Sequence, residues 1–461
     1  MSHPQNAQKL PSSFRDPDGF LFNLNGILYR QVNQNYQKDY DHLIKSGLYE
    51  ILTKSGLLIP HAEKDTQSPY PDQAYKIIKP EIINFISYPY EWCFSQLKDA
   101  ALLTLQIQKE SIGKGMSLKD CSAFNIQFKK GKPVFIDSLS FEKYRKGEPW
   151  VAYRQFCQHF LAPLALMCSV DVRLNYLLKH FIDGIPLDLA SKLLPLSTHF
   201  NFSLLTHIHL HSNAQKRFSD NPSASTKRQM SHLSFLGIID SLETTIKKIK
   251  LKISKSEWSN YYQETNYSSE SFRQKEKIVS GYLQKISPKG LWDLGSNTGL
   301  FSRIASRQGI QTISFDIDPM AIEKNYKQVI ASNEKNLLPL VMDLTNPSAG
   351  TGFQNEERLS LIKRGPTEVV LALALIHHLA ISNNLPFELI AQFFSKICQT
   401  LIVEFIPKED SQVQRLLKSR RDIFPHYTQN FFEKEFKKFF TINHADKIKD
   451  SQRTTYLMSK K

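Results

Sequence analysis

The run Asp293-Leu294-Gly295-Ser296-Asn297-Thr298-Gly299 gathers an acid, two glycines and small polar residues behind an apolar segment. In an open α/β sheet a ligand sits beyond the carboxyl ends of the strands, so such a loop is where binding chemistry collects. Gly295 has no Cβ, which lets the backbone turn tightly and a ligand approach it closely. Gly299 opens the next helix and relieves crowding against the strand. Asp293 can accept hydrogen bonds from loop amides or, through water, from an ammonium group. Twenty-three positions further on, Phe315-Asp316-Ile317-Asp318 closes a second apolar run, near the spacing of about 20 residues expected of one strand–helix–strand unit. A carboxylate there can accept both hydroxyls of a ribose. Met342-Asp343-Leu344 closes a third run, where an acid can accept from the amino group of an adenine. Ser296, Asn297, Ile317 and Leu344 flank these acids and complete the candidate cofactor-binding set. A glycine loop alone is weak. Acids at three successive strand ends weigh against chance placement.

The elements that must hold these residues alternate. GLWDLG, TISFDID, LLPLVMD, EVVLALAL and TLIVEFI read as strands; AIEKNYKQVIA, FELIAQFFSKIC and the segment from Gly299 read as helices. FTINHAD and RTTYLMS close the chain as two more strands. Apolar strands separated by helices imply an α/β fold with a mostly parallel sheet covered on both faces.

Residues 255–461 resemble the class I S-adenosylmethionine-dependent methyltransferases. DLGSNTG matches their first motif, with Asn297 in place of the usual middle glycine, and Asp316 and Asp343 match the ribose- and adenine-contacting acids. The D-x-G-x-N-x-G spacing differs from the G-x-G-x-x-G of dinucleotide-binding domains. The resemblance implies a Rossmann-like sheet of seven strands closed by an antiparallel pair, with S-adenosyl-L-methionine as cofactor. Trp258, Tyr261, Tyr262 and Lys275 fall where such enzymes carry a lid helix over the methionine end; ordinary helix packing is the alternative. Methyl transfer from a sulfonium is mainly a positioning task, with a base needed for an acceptor of high pKa. His377 and His378, after the fourth strand, resemble the family's fourth region and are the candidate catalytic residues. The competing reading has one capping a helix and the other packing. The Asn/Asp-Pro-Pro-aromatic motif of many base-amino methyltransferases is absent, which argues against an exocyclic base amine as acceptor.

A second informative run is Leu118-Lys119-Asp120-Cys121-Ser122-Ala123-Phe124-Asn125, followed by KKGKPVFIDSLSF. It resembles the catalytic segment of protein-kinase-like folds, in particular the small-molecule kinase branch. That resemblance implies Asp120 as base and Asn125 and Asp137 as metal ligands. Departures are plain: Leu118 replaces the usual His, no Gly-rich phosphate loop precedes it, Arg30 is only a weak stand-in for the strand lysine, and nothing like D-F-G follows Asp137. A degenerate kinase-like domain, an active one and coincidence all stay open. With the C-terminal half, the arrangement resembles a bacterial family of fused methyltransferases, some of them nodulation-protein-like.

The division expected is a tail at 1–18, an N-terminal α+β domain at 19–210 that is kinase-like or recognises the acceptor, a connector and linking helix at 211–254, and the methyltransferase domain at 255–461. Within the N-terminal part, Asn25-Gly26 predicts a tight hairpin, residues 39–58 a helix, IINFISY a strand and SQLKDAALLTLQIQKESI a helix. Of 461 residues 59 are basic and 44 acidic, a net charge of +15, which makes acidic partners plausible, though the lysines are scattered rather than striped. Five cysteines without a CxxC pair disfavour a disulfide framework or a zinc cage, so no metal is expected. No apolar run approaches the roughly 20 residues that span a bilayer, and the N-terminus has no signal-peptide stretch, so a cytoplasmic location is expected. The expected activity is methyl transfer to an unidentified acceptor: a glycan, a lipid-linked saccharide or another small molecule ahead of RNA. The rivals are a bifunctional protein with a kinase-like ATP-binding domain and a non-catalytic ligand-binding scaffold. The sequence does not set the oligomeric state.

Overall fold

The computed structural model describes residues 7–210, 229–251, 269–418 and 421–461. The chain forms two units: Met1–Lys252 together with Gly350–Arg358, and Ile253–Ala349 together with Leu359–Lys461.

The first unit opens with a five-stranded sheet in the order β1-β2-β3-β5-β4: β1 (Ala7–Lys9), β2 (Gly19–Leu24), β3 (Ile27–Asn33), β4 (His61–Glu63) and β5 (Ala74–Pro80). β1 lies in the stretch expected as a tail; it pairs antiparallel with β2, Ala7 opposite Leu24. The β2–β3 hairpin turns at Asn25 and Gly26, whose φ values of 53° and 79° are those of the tight turn that Asn-Gly favours. One helix was expected next, but Gly47 at φ 77° ends α1 (Gln37–Lys45) and α2 (Leu48–Lys54) begins after it. The strand expected at IINFISY is instead β5, just upstream. Beyond Pro80 the amides of Ser87 and Tyr88 are satisfied by the side chains of Gln127 and Glu91 rather than by a ladder.

Then α3 (Phe94–Gly113) is buried on several faces. It leads to β6 (Met116–Leu118), the β7 (Ile126–Lys129) and β8 (Lys132–Phe135) hairpin, and β9 (Phe141–Lys143), which pairs with β6. Short helical pieces follow between Tyr153 and Leu210. The helix His232–Lys248, expected as part of a connector, packs on α3 and ties to it through Lys109, whose ammonium meets Asp240 at 2.6 Å and Glu243 at 2.5 Å. The segment Gly350–Arg358 adds an Arg15–Glu357 ion pair at 2.8 Å and sets the Arg358 guanidinium 4.6 Å from the Phe124 ring centre.

The second unit carries a seven-stranded sheet in the order β12-β11-β10-β13-β14-β16-β15. Its strands are β10 (Gly290–Leu294), β11 (Gln311–Asp316), β12 (Leu337–Val341), β13 (Thr367–Ala372), β14 (Cys398–Phe405), β15 (Phe440–Lys447) and β16 (Thr454–Lys460). The first five in that order are parallel, and β16 runs antiparallel to both β14 and β15. This is the Rossmann-like arrangement expected, closing antiparallel pair included. All five residues of β12 are buried, as a strand covered on both faces requires. Val279 and Leu283 of the helix Ser269–Ile286 pack with Leu291, Phe301, Ile402 and Leu457 to close one face. Strand order reverses between β10 and β13, and that switch point opens a crevice at the carboxyl edge. No described helix is long and apolar enough to cross a membrane.

Candidate functional site

At that edge lies a cavity of about 320 Å³, within the range of ligand pockets. Asp293, Gly295, Ser296, Asn297, Asp316, Ile317, Asp343, Leu344 and His378 all line it. Gly299 and His377 are not among the lining residues. Gly299 instead starts the helix Leu300–Arg307 at φ 80°, where an added Cβ would come 2.4 Å from the Asn325 amide nitrogen.

Hydrogen bonds fix the loop before any ligand arrives. The amides of Gly295 and Ser296 both donate to the Phe315 carbonyl at 2.9 Å. The Asn297 amide donates to Asp316 Oδ2 at 2.7 Å and the Asp318 amide to Asp316 Oδ1 at 2.9 Å. An ionised carboxylate offers about four lone-pair sites, so roughly two remain for the paired hydroxyls of a ribose. Behind the loop, Arg303 is held by Glu334 at 2.9 Å and donates to the carbonyls of Thr298 at 2.7 Å and Gly299 at 3.2 Å. Asp343 accepts from the Thr345 amide and hydroxyl at 2.8 and 2.6 Å through one oxygen.

Burial raises both inner acids. Asp293 is pushed up to about 7 by burial, against the Ser302 hydroxyl that donates to it at 2.5 Å, and the Asp316 charge adds to the rise. Asp316 is pushed up to about 6 by burial, with the Asp318 and Asn297 amides opposing. Near neutral pH, Asp316 is therefore largely charged and able to accept. Facing Asp293 is Lys275, 2% exposed, whose ammonium bonds Glu404 Oε2 at 2.8 Å and sits 4.9 Å from the centre of the Phe301 ring. Glu404 Oε2 also accepts the Ala374 amide at 2.8 Å.

The two histidines part ways. His377 is 1% exposed, and burial holds its pKa well below the ordinary value, with His378 and more distant cations adding to the effect. His378 lines the cavity half-buried, with a pKa lowered to about 4 by burial. Both rings are neutral at pH 7. That makes His378 a hydrogen-bond partner for an incoming group and only a weak base. Trp258, Tyr261 and Tyr262 lie outside the described residues.

Against known proteins, no family model matches the chain. The nodulation protein NoeA of Rhizobium meliloti (strain 1021) is 31% identical over 456 residues, covering 97% of this chain and 95% of that protein. The chain belongs to the NoeA family. Among solved structures, the magnesium protoporphyrin IX methyltransferase ChlM of Synechocystis PCC 6803, crystallised with bound SAH, aligns over 44% of this chain and 93% of its own. That alignment has a TM-score of 0.31 and 15% identity. The bifunctional kinase-methyltransferase WbdD aligns over 41% of this chain and 39% of its own, with a TM-score of 0.29 and 15% identity.

In this NoeA-family chain the three residues singled out in the first unit are engaged by neighbours. Asp120 accepts from the Gln155 side chain at 2.7 Å and the Ser122 amide at 3.0 Å. Asn125 donates to the Ser140 hydroxyl at 3.3 Å. Asp137 meets the Arg30 guanidinium at 2.6 Å, and Arg30 also meets Asp16 at 2.6 Å. Among the described residues no three His, Cys, Asp or Glu side chains converge as a metal site.

Glu404 was missed from sequence, although it stands one residue before the carboxyl end of β14, as Asp293 does in β10. Phe272, Leu379, Ser382, Asn383 and Leu416 also line the cavity and carry no pattern that announces it.

Proposed function

We propose that this chain is an S-adenosylmethionine-dependent methyltransferase whose first unit recognises the acceptor. The observation that carries the reading is the row of Asp293, Asp316 and Asp343 at the carboxyl ends of three adjacent parallel strands, all lining one cavity at the switch point. The donor set fits the cofactor: an acid with lone pairs left for ribose hydroxyls, an acid at the next strand for the adenine end, and an acid with a facing ammonium for a zwitterionic tail. When bound, the cofactor supplies an electrophilic methyl group on a sulfonium. This chain's residues bind and orient it, keep water out through Leu373, Leu375 and Leu379, and offer His378 to the approaching acceptor.

A base held near pKa 4 favours an acceptor that loses its proton late or is already nucleophilic. A glycan, a lipid-linked saccharide or another small molecule remains ahead of RNA, because no Lys or Arg other than Lys275 lines the described cavity. Transfer of labelled methyl from the cofactor into fractions of a cell extract, with Asp316→Ala as control, tests the reading. No label above that control in any fraction counts against turnover.

For the first unit, the pairing of Asp137 with Arg30 supports a degenerate kinase-like domain over an active one, since a metal would have to displace a guanidinium. Mg²⁺-dependent ATP binding that is lost in Asp137→Ala would reverse that preference. The non-catalytic scaffold predicts cofactor binding with no transfer to any fraction.

A further inference from the structure

Strand β12 runs straight into one wall of the cavity, where Met342, Asp343, Leu344 and Thr345 all line it. Five positions after Thr345 the chain enters Gly350–Arg358, which belongs to the first unit, and it returns to the second at Leu359. The neck of this excursion is clamped within the second unit. The Leu361 amide donates to the Ser348 carbonyl at 2.8 Å, and the Ser348 hydroxyl donates to Met342 Sδ at 3.7 Å. Ser348 and Leu361 are both buried. The neck therefore touches a residue of the cavity wall.

The excursion itself is a closed finger. Thr351 and Arg358 exchange backbone hydrogen bonds at 3.1 and 3.2 Å, and the Phe353 amide donates to Glu357 Oε1 at 2.8 Å. At the tip Gln354 and Asn355 stand at φ 57° and 58°. Left-handed backbone is unfavourable for residues other than glycine, and it persists where surrounding contacts hold it. Here those contacts come from the first unit. Glu357, 4% exposed, meets the Arg15 guanidinium at 2.8 Å, and the Arg358 guanidinium lies 4.6 Å from the centre of the Phe124 ring. Arg15 adjoins Asp16, the partner of Arg30, and Phe124 adjoins Asn125. A connection from β12 to β13 has only to cross the sheet, and nothing in that task calls for a charged tip seated among these residues. Neither Glu357 nor Arg358 lines the cavity.

We propose that Glu357 and Arg358 are positioning residues for the cofactor cavity. While they hold the finger docked, its neck keeps residues 342–345 in the shape that grips adenine, and bound cofactor in turn tightens the docking. Such coupling is reciprocal by thermodynamic necessity. It rests on the cofactor reading above, and it makes cofactor affinity depend on the unit proposed to recognise the acceptor.

Two measurements on the full chain test it. Calorimetry compares S-adenosylhomocysteine with S-inosylhomocysteine, which carries a carbonyl where adenine has the amino group that Asp343 accepts from. The wild type should prefer the adenine form by at least about tenfold. Arg358→Met should weaken S-adenosylhomocysteine by about fivefold and leave S-inosylhomocysteine nearly unchanged. Arg15→Met, at an exposed residue outside the cavity, should do the same by about threefold, and adding Glu357→Gln to it should change little more. A merely structural role would lower both affinities together. In the second measurement, saturating S-adenosylhomocysteine should slow amide hydrogen exchange across residues 350–358 in the wild type and do so less in Arg358→Met. If Arg358→Met does not fold, Arg15→Met and the wild-type exchange decide. Exchange indifferent to bound S-adenosylhomocysteine overturns the coupling and leaves the cofactor reading standing. So does an adenine preference that is absent in the wild type or undiminished in the variants. Failure of the wild type to bind either nucleoside overturns the cofactor reading itself.

Discussion

Replacing Asp316 with Ala should weaken binding of S-adenosylmethionine or S-adenosylhomocysteine by at least tenfold, and by roughly 100-fold on the geometry. Two of the carboxylate's lone-pair sites are occupied by the Asn297 and Asp318 amides, which leaves about two for ribose hydroxyls. Hydrogen bonds to a charged group contribute about 1.5–3 kcal/mol each. Two at the lower end give about 3 kcal/mol, and about 1.4 kcal/mol corresponds to tenfold in affinity. A water entering the space recovers part of this, hence the tenfold floor. The fold should survive. The substitution leaves two loop amides without their acceptor, but it also removes a carboxyl that burial has already raised to about 6. Calorimetric titration of wild type and variant, with a melting curve to show that the variant is folded, measures the effect. Unchanged affinity in a folded Asp316→Ala protein would mean that no ribose sits on this acid, and the row of three carboxylates would lose its meaning.

Other outcomes follow from the same geometry. Ligand binding favours the ionised form of Asp316, so affinity should fall and proton release on binding should rise as pH drops from about 8 to about 6. The unliganded unit should respond in the opposite sense. Asp293 and Asp316 have folded pKa values of about 7 and about 6, above the unfolded value, so between that value and these the native state binds more protons, and their contribution to stability declines as pH rises through the window; a melting temperature that rose across it would contradict the burial seen here. His378→Ala should lower kcat by about tenfold with little effect on cofactor affinity, whereas His377→Ala should lower stability by about 2 kcal/mol and leave kcat nearly intact; steady-state kinetics beside denaturant titration separates the two, and an unchanged kcat in both variants removes the imidazole from the mechanism. Gly299→Ala should destabilise by about 2 kcal/mol or more, because φ is 80° and the new methyl meets Asn325. Arg30→Met should cost about 3 kcal/mol by leaving Asp16 and Asp137 facing each other, and a denaturation midpoint equal to wild type would show that the ion pair contributes nothing.

What could be read from sequence was whatever repeats a simple physical rule. Asp293, Asp316 and Asp343 each end an apolar strand, and Asn25-Gly26 needs its positive φ values, so both were legible without coordinates. The IINFISY segment misled because its composition suits a strand, while the Ser87 amide found the Gln127 side chain 40 positions away and the Tyr88 amide found Glu91 in a capping box that starts the next helical turn. His377 and His378 are adjacent in sequence, and only packing around the turn after β13 puts one ring in the wall and buries the other. Lys275 was noticed for its place before the first strand, but its bond to Glu404 spans 129 positions, a distance over which one sequence carries no signal.

The split make-up of the first unit bears on how the chain is made. Its sheet, α3 and the helix His232–Lys248 all precede residue 252, yet Gly350–Arg358 belongs to the same unit. A ribosome delivers residues from the N-terminus, so this unit stays one piece short until about three-quarters of the chain has been synthesised. During that interval Arg15 lacks Glu357 and the Phe124 ring lacks the Arg358 guanidinium. The second unit's β10, β11 and β12 emerge before the first unit can close, so the two must mature in overlapping rather than successive stages.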